Sequence, residues 1–364
     1  MPLDLDALRR YAVARTLFPS TTLLRAVERL GFVQADPIRA PARAQDLVLR
    51  HRVRDYRAGE LERRYPRLPL EEDFFVNYGF LPCKTAALMH PREPHPPWDR
   101  GREARASAVL DFVRQRGSAH PAEVDAHFQH GRARNWFGGS SRASTQLLDA
   151  MHYRGLLRIA RRERGVRVYA PRASTPTPAD AAQSEAWHDA LVDVAVGSYA
   201  PLPAATLGQL LSHLGAGVPQ WRGQRSAALE RARKRLPSLR IDGVDWFWPA
   251  GDDPRATRRD ADDDRLRLLA PFDPVVWDRR RFALFWGWDY RFEAYTPAGK
   301  RKLGYYALPL LWRGQVIGWG NLVWRDGQLD AQLGYVAGRP PRGVAYRTAL
   351  DDELQRFERF MTPR

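Results

Sequence analysis

Gln34 and Asp36 are two polar, hydrogen-bonding side chains in an otherwise apolar run, Leu30-Gly31-Phe32-Val33-Gln34-Ala35-Asp36-Pro37-Ile38-Arg39. In extended chain, residues two apart point the same way, so a carboxylate and a primary amide would face one space with Ala35 turned away. Such a pair can hold a water molecule and accept its proton. Pro37 supports the extended reading, because it pushes the residue before it toward β or polyproline geometry. A second reading stays open. Asp-Pro also starts helices, with Asp36 as N-cap and Pro37 in the first helical position. Gln34 is then an ordinary surface residue.

The elements that must position this pair begin just upstream. Leu23, Ala26, Val27 and Leu30 share one face of a helix from about Thr22 to Leu30, and Gly31 is a natural stop. Asp4 can cap an earlier helix carrying Leu5, Leu8, Tyr11 and Ala12. Downstream, Arg39 to Arg67 holds nine arginines and four acids. Part of it, Ala42 to His51, is expected to be helical, with Ala44, Leu47 and Val48 inward and Arg43, Arg50 and His51 outward. That face is either simply solvated or, next to a candidate water site, set to meet phosphates. Glu71 to Tyr78 reads as another short helix with core aromatic residues.

Four prolines in His90-Pro91-Arg92-Glu93-Pro94-His95-Pro96-Pro97 mark a stiff linker and a domain boundary. Residues 98–176 then read as a winged helix. Glu103 to Arg116 and Ser118 to Phe128 are its first helices. Trp136 precedes a recognition-helix candidate, Ser140 to Met151, with Ala143, Leu147 and Met151 inward and Arg142 at its start. Strands Leu156 to Arg161 and Val166 to Tyr169 flank a basic tip, Arg162-Glu163-Arg164-Gly165. Such a module either touches DNA or serves as a dimerisation or structural unit.

Ser174 to Ala182 is a linker, and residues 183–250 repeat the same grammar. Helices are expected at Gln183 to Val196, Thr206 to Leu214 and Ser226 to Leu236. A hairpin turns at Asp242-Gly243 between Leu239 to Ile241 and Val244 to Trp248. Asp260, Asp262, Asp263 and Asp264 lack calcium-loop spacing and read as a solvated linker. Tyr290 to Tyr295, Tyr305 to Trp312, Gln315 to Trp324 and Gln328 to Tyr335 read as strands of a small β-barrel. A helix from Tyr346 to Phe360 follows. The expected class is α+β, with tandem winged helices and a C-terminal β-barrel, in segments 1–96, 97–176, 177–258 and 259–364.

The chain has 364 residues, enough for several domains, and 44% are hydrophobic, enough for a core. The 58 basic residues outnumber 42 acidic ones, a net charge of +16. Only Lys84, Lys234, Lys300 and Lys302 are lysines. The arginine bias fits a GC-rich genome or selection for phosphate binding. The excess charge points to nucleic acid or an anionic surface. Cys83 is the single cysteine, which excludes an internal disulfide framework and a multi-cysteine zinc site. No apolar run reaches 18 residues and the N-terminus has no signal-peptide pattern, so no membrane association is expected. The expected place is the cytoplasm, in association with the nucleoid. His127 and His130 share a helix face without an evident third ligand, so no metal is expected. Neither a Gly-rich phosphate loop nor a Gly-x-Ser-x-Gly elbow is present, and no cofactor is expected.

Three runs then coincide. They are Gly31-Phe32-Val33-Gln34-Ala35-Asp36 with Arg43 and Leu47 to Arg52; Leu268-Leu269-Ala270-Pro271-Phe272-Asp273-Pro274; and Tyr290 to Tyr295 with Arg301-Lys302-Leu303-Gly304-Tyr305-Tyr306-Ala307-Leu308-Pro309. Together they resemble the YcaQ/AlkZ family of winged-helix DNA glycosylases that unhook interstrand crosslinks. The resemblance spans nearly the whole chain and agrees with the segment order above. It implies that Gln34 and Asp36, in the Gln-x-Asp form of the YcaQ branch, carry the chemistry. Where the family has a Gly-Arg-x-Asp run near the barrel's end, this chain has Gly318-Trp319-Gly320-Asn321.

The implied reaction is hydrolysis of the N-glycosidic bond of N7-alkylguanine, with Asp36 taking the water's proton and Gln34 orienting it. The implied partner is double-stranded DNA carrying alkylated or crosslinked guanine, bound by a monomer. Arg39, Arg43, Arg50, His51, Arg52, Arg142, Arg162 and Arg164 are the expected DNA contacts. No lysine lies near Gln34 in sequence, which argues against Schiff-base lyase chemistry. The competing expectation is a non-enzymatic winged-helix regulator, which would bind a palindrome as a symmetric dimer.

Overall fold

Leu23, Ala26, Val27 and Leu30 are all buried along one side of helix Leu23–Leu30, as their spacing requires. Thr22 caps the helix start, and Gly31 ends it with φ +74°, a conformation that favours glycine. A computed structural model describes residues 3–93, 96–134, 140–256 and 264–363. Trp136, Asp260, Asp262 and Asp263 lie outside the described residues. The chain is a mixed α+β protein. It forms two compact units. One comprises residues 1–61, 193–210 and 229–364, and the other residues 62–192 and 211–228.

The first unit holds Gln34 and Asp36. Asp4 caps helix Leu5–Thr16, which buries Leu8, Tyr11 and Ala12 against Ala200, Trp246, Trp248 and Phe285. A second cluster joins Leu17 to Val275, Val276, Phe282, Tyr290, Ala307 and Val316. Strands Arg267–Leu268, Leu308–Trp312, Gln315–Arg325 and Gln328–Tyr335 pair antiparallel in that order. This four-stranded sheet is open, which corrects the expectation of a closed barrel. Arg267–Leu268 has only two residues, too short an edge to meet the tilt and stagger that closure demands. Helix Val344–Met361 packs beside the last strand, and the Tyr335 and Tyr346 hydroxyls meet at 2.8 Å.

Tyr290 to Tyr295 is not a strand either. Glu293 instead accepts the backbone N–H groups of Lys302 (2.9 Å), Leu303 (2.7 Å) and Gly304 (3.3 Å). One carboxylate does the work of ladder bonds, so the aromatic run stays a loop. Strand Val244–Phe247 lies between Leu202–Pro203 and Ser238–Ile241 in a small sheet of the same unit.

In the second unit, Glu71 to Tyr78 is a hairpin rather than a helix. Strands Leu70–Phe74 and Tyr78–Pro82 pair from Leu70 opposite Pro82 to Phe74 opposite Tyr78. The three consecutive acids in this segment are buried, each with a cationic partner. Arg158 meets Glu71 at 3.0 Å, Arg162 and Arg167 meet Glu72, and Arg92 meets Asp73 at 2.8 Å. Helices Arg100–Arg116, Pro121–Phe128 and Ala143–Tyr153 precede the hairpin of strands Leu157–Glu163 and Val166–Pro171. Helix Ala143–Tyr153 buries Leu147 and Met151 as expected, but Ala143 is only half-buried and Ser144 takes the inward place.

Candidate active site

Val33–Gln34 is a two-residue extended segment and no helix starts at Pro37. The helix-cap reading of Asp36 is therefore not realised. Gln34 is 6% exposed, so it is not a surface residue either. Its Oε1 accepts the indole N–H of Trp277 at 3.2 Å. An indole nitrogen can only donate, so this contact sets which end of the Gln34 amide is oxygen. The Nε2 donors and the second lone pair of Oε1 remain for a ligand.

Trp277 is itself placed by a chain of contacts that starts in sequence near Gln34. Arg52 is fully buried, follows helix Ala44–Leu49, and grips both oxygens of Asp273 at 2.8 and 2.9 Å. Its remaining donors reach the carbonyls of Thr16 (2.7 Å) and Val48 (2.6 Å). Asp273 also caps the four-residue helix Pro274–Trp277, accepting from Val275 at 3.0 Å. Trp277 ends that helix, stacked on Tyr199 at 4.4 Å. A bidentate buried pair thus holds the donor that orients Gln34.

Asp36 is half-buried. Its Oδ1 accepts the backbone N–H of Ile38 at 2.8 Å across Pro37, and its own N–H reaches buried Gln45 Oε1 at 3.4 Å. Burial raises the Asp36 carboxyl above the ordinary aspartate value, and the Ile38 N–H offsets this in part. Among the described residues no cation holds this carboxylate in a salt bridge. A carboxylate with a raised pKa is a better proton acceptor than a free one.

Two tyrosines sense the Asp36 charge. Burial, then the charge of Asp36, pushes the Tyr306 hydroxyl well above its ordinary value, and the same causes raise Tyr295. Tyr306 Oη is buried with no hydrogen-bond partner. Its ring meets Phe292 edge-on at 5.2 Å, and Phe292 packs in turn on Phe272 and Tyr295. Tyr295 itself is 78% exposed. Glu293 fastens this loop from one side. From the other, Asn321 Nδ2 donates to Leu303 O at 2.7 Å. A Cβ on Gly304 (φ +119°) would come within 2.3 Å of the Asn321 amide. Asn321, where the chain departs from Gly-Arg-x-Asp, is thus an anchor for the loop that carries Tyr306.

The expected DNA contacts separate by exposure. Arg52 is inside the fold, and His51 is buried with Nε2 at 2.9 Å from Leu268 O. Burial and the Arg50 and Arg52 charges hold the His51 ring well below its ordinary pKa. Arg50 is ion-paired to Glu353, both side chains buried. Arg162 is turned inward to Glu72. These four lie in a positively biased sequence, but internal acids and carbonyls take most of their donors. Arg39 and Arg164 are exposed and Arg43 half-exposed. Arg142 is exposed and touches Asp125 at 3.0 Å.

Gln45, Trp277 and Tyr306 were not singled out in the sequence. Trp277 follows the Pro-Phe-Asp-Pro run and Tyr306 lies inside the Gly-Tyr-Tyr run, so both runs carried the signal without a role attached. Nothing marked Gln45, a polar residue on the inward face of a short helix.

A family model described as DNA glycosylase AlkZ-like matches residues 27–360. Among solved structures, the chain is similar to Streptomyces sahachiroi DNA glycosylase AlkZ. The TM-score is 0.62 at 14% identity, covering 99% of this chain and 97% of that one. At that identity the likeness speaks to the fold. The family match carries DNA repair glycosylase activity on DNA, and with it an enzyme in place of the regulator expected as the alternative. No helix among the described residues is long and apolar enough to cross a membrane. The chain belongs to the AlkZ-like family of DNA glycosylases.

Proposed function

We propose that this enzyme is a monofunctional glycosylase that hydrolyses the N-glycosidic bond of N7-alkylguanine, including guanines in interstrand crosslinks. Two observations carry the proposal: Asp36 is half-buried and free of any salt bridge among the described residues, and the Gln34 amide two residues before it is oriented by Trp277.

Alkylation at N7 makes the base cationic, so it departs without a protonated acid. The C1′–N9 bond breaks with its electron pair going to the base, and positive charge gathers on the sugar. Asp36 stabilises that charge and takes one proton from the attacking water. Gln34 fixes the water through its free amide donors and the spare Oε1 lone pair. The water oxygen forms the new bond to C1′, leaving an abasic site.

The aromatic rim of exposed Tyr295 and half-buried Phe292 offers a stacking face to a cationic base. A crosslinked base cannot be flipped freely, so an open groove suits it better than the closed pocket of most base-flipping enzymes. We assign phosphate contacts to Arg39, Arg43, Arg142 and Arg164. Residues 98–176 and 183–250 would act as winged helices within the four segments expected from the sequence. The enzyme would work as a monomer at the nucleoid.

The test is base release from duplex DNA carrying N7-methylguanine or a nitrogen-mustard crosslink. Asp36→Asn and Gln34→Ala should bind duplex within a few-fold of wild type and lose about 100-fold or more in rate. Borohydride should trap no protein–DNA adduct, although Lys302 sits on the loop fastened by Glu293. A wild-type protein that binds these duplexes and releases no base would end the lesion assignment. A trapped adduct would end the monofunctional one.

A further inference from the structure

The first unit carries a concave surface whose lining includes neither Gln34 nor Asp36. It has a volume of about 360 Å³, within the range of small-ligand sites. Six arginines line it: Arg50, Arg54, Arg57, Arg265, Arg356 and Arg359. Asp55 is the one acid in the wall. Behind it, buried Glu353 is shared among Arg50, Arg356 at 3.1 Å and the Leu268 N–H at 2.8 Å. Among the described residues that line or back the pocket, six arginines meet two carboxylates.

The floor of this pocket is built rather than incidental. The Arg50 side chain is only 3% exposed. Its guanidinium lies 4.2 Å over the Phe357 ring, so it cannot swing out to water without losing packing. Arg50 Nε and Arg57 Nε are buried with no acceptor. Glu353 and the Leu268 carbonyl already take Arg50 Nη2, and a buried donor left over still costs free energy that an acceptor entering the pocket would recover. Burial, then repulsion from Arg356 and Arg265 against the pull of Glu353, leaves Arg50 below its ordinary pKa. A neighbouring concavity of about 440 Å³ shares Arg57 and Arg359 and continues to Trp324, Gln328, Gln355 and one acid, Glu358. A ligand longer than one charged group has somewhere to run.

We propose that this arginine pocket is a binding site for a phosphate-bearing anion, separate from the Gln34–Asp36 site. Guanidinium forks match the oxygens of a phosphate two at a time, and several around one cavity suit a group carrying more than one charge. The phosphate has two sources with the same chemistry, a free polyphosphate and the backbone of bound DNA.

Thermal melting of the full chain with pyrophosphate, against sodium chloride at equal ionic strength, is the first arm. Pyrophosphate should raise the melting temperature by at least about 2 °C. Arg54→Ala/Arg359→Ala, which touches only exposed side chains of the wall, should remove that rise. Arg114→Ala/Arg116→Ala removes equal charge from an exposed helix and should leave it intact. The second arm follows undamaged duplex binding across salt. If the source is backbone phosphate, the Arg54/Arg359 variant lowers the salt slope by about 1.8, at 0.9 for each lost contact. A pyrophosphate response without a slope change identifies a free anion. A response lost equally in the Arg114/Arg116 variant, or no response and no slope change, overturns the site. None of these readouts uses base release, so they stand or fall apart from the lesion assignment.

Discussion

Trp277→Phe isolates the contact that orients Gln34. The substitution keeps an aromatic ring to stack on Tyr199 and deletes the N–H that donates to Gln34 Oε1 at 3.2 Å. A neutral hydrogen bond of this kind contributes a net ~0.5–1.5 kcal/mol. At 1.36 kcal/mol per tenfold, losing it from the transition state slows base release by about 2- to 13-fold. The reasoning predicts where that loss falls. Single-turnover release from an N7-methylguanine duplex should slow in Trp277→Phe with duplex affinity unchanged. In a Gln34→Ala background the same change should cost nothing further, because the amide it orients is gone. A Trp277→Phe rate loss of equal size in both backgrounds would refute the coupling. So would a loss as large as that of Gln34→Ala itself, which would mean that the site had collapsed.

The rate should fall in acid as Asp36 takes a proton. Because burial raises this carboxyl, the fall should begin above the ~4 of a free aspartate, and Asp36→Asn should abolish that limb. Tyr306→Phe removes a buried hydroxyl that has no partner. Stability in urea should hold or rise while release slows by roughly 3- to 10-fold, if bound lesion is what satisfies the hydroxyl; lost stability with an unchanged rate would count against it. Arg52→Met leaves Asp273 charged, buried and unpaired, which should cost ~3–5 kcal/mol in a urea melt. His90 and His152 are each lowered to about 4, burial being the main cause and Asp73 opposing it. Their folded values lie below the unfolded ~6.5, so the unfolded chain binds protons first. The stability they contribute is complete above pH 6.5 and lost toward pH 4. Unfolding at pH 5 against pH 7 should show a loss of about 2 kcal/mol per ring, and no difference would contradict their burial as neutral rings.

Local order was legible wherever one rule acted alone. Helix Leu23–Leu30 followed from four apolar residues at helical spacing and a glycine stop, and Gln34 and Asp36 stood out because polar residues interrupt an apolar run. The recognisable runs told the family, and the family model agrees over residues 27–360. The failures share a cause. Glu71 to Tyr78 looked like a short helix because nothing local shows that the arginine partners of Glu71, Glu72 and Asp73 lie about 19 to 95 residues away in sequence. Tyr290 to Tyr295 looked like a strand because nothing local shows that Glu293 will take three backbone donors ten residues on. Arginines look alike in sequence, yet Arg52 is a buried clamp and Arg39 a surface cation.

Composition, periodicity and the order of motifs were thus decided by the sequence alone, because they depend on residues within a turn or two of each other. Which end of the Gln34 amide faces the water, which arginines remain for phosphate and which gather around a second pocket were decided only by the tertiary structure. Those outcomes depend on desolvation and on partners such as Trp277, Asp273 and Glu353, more than 200 residues from the groups they control.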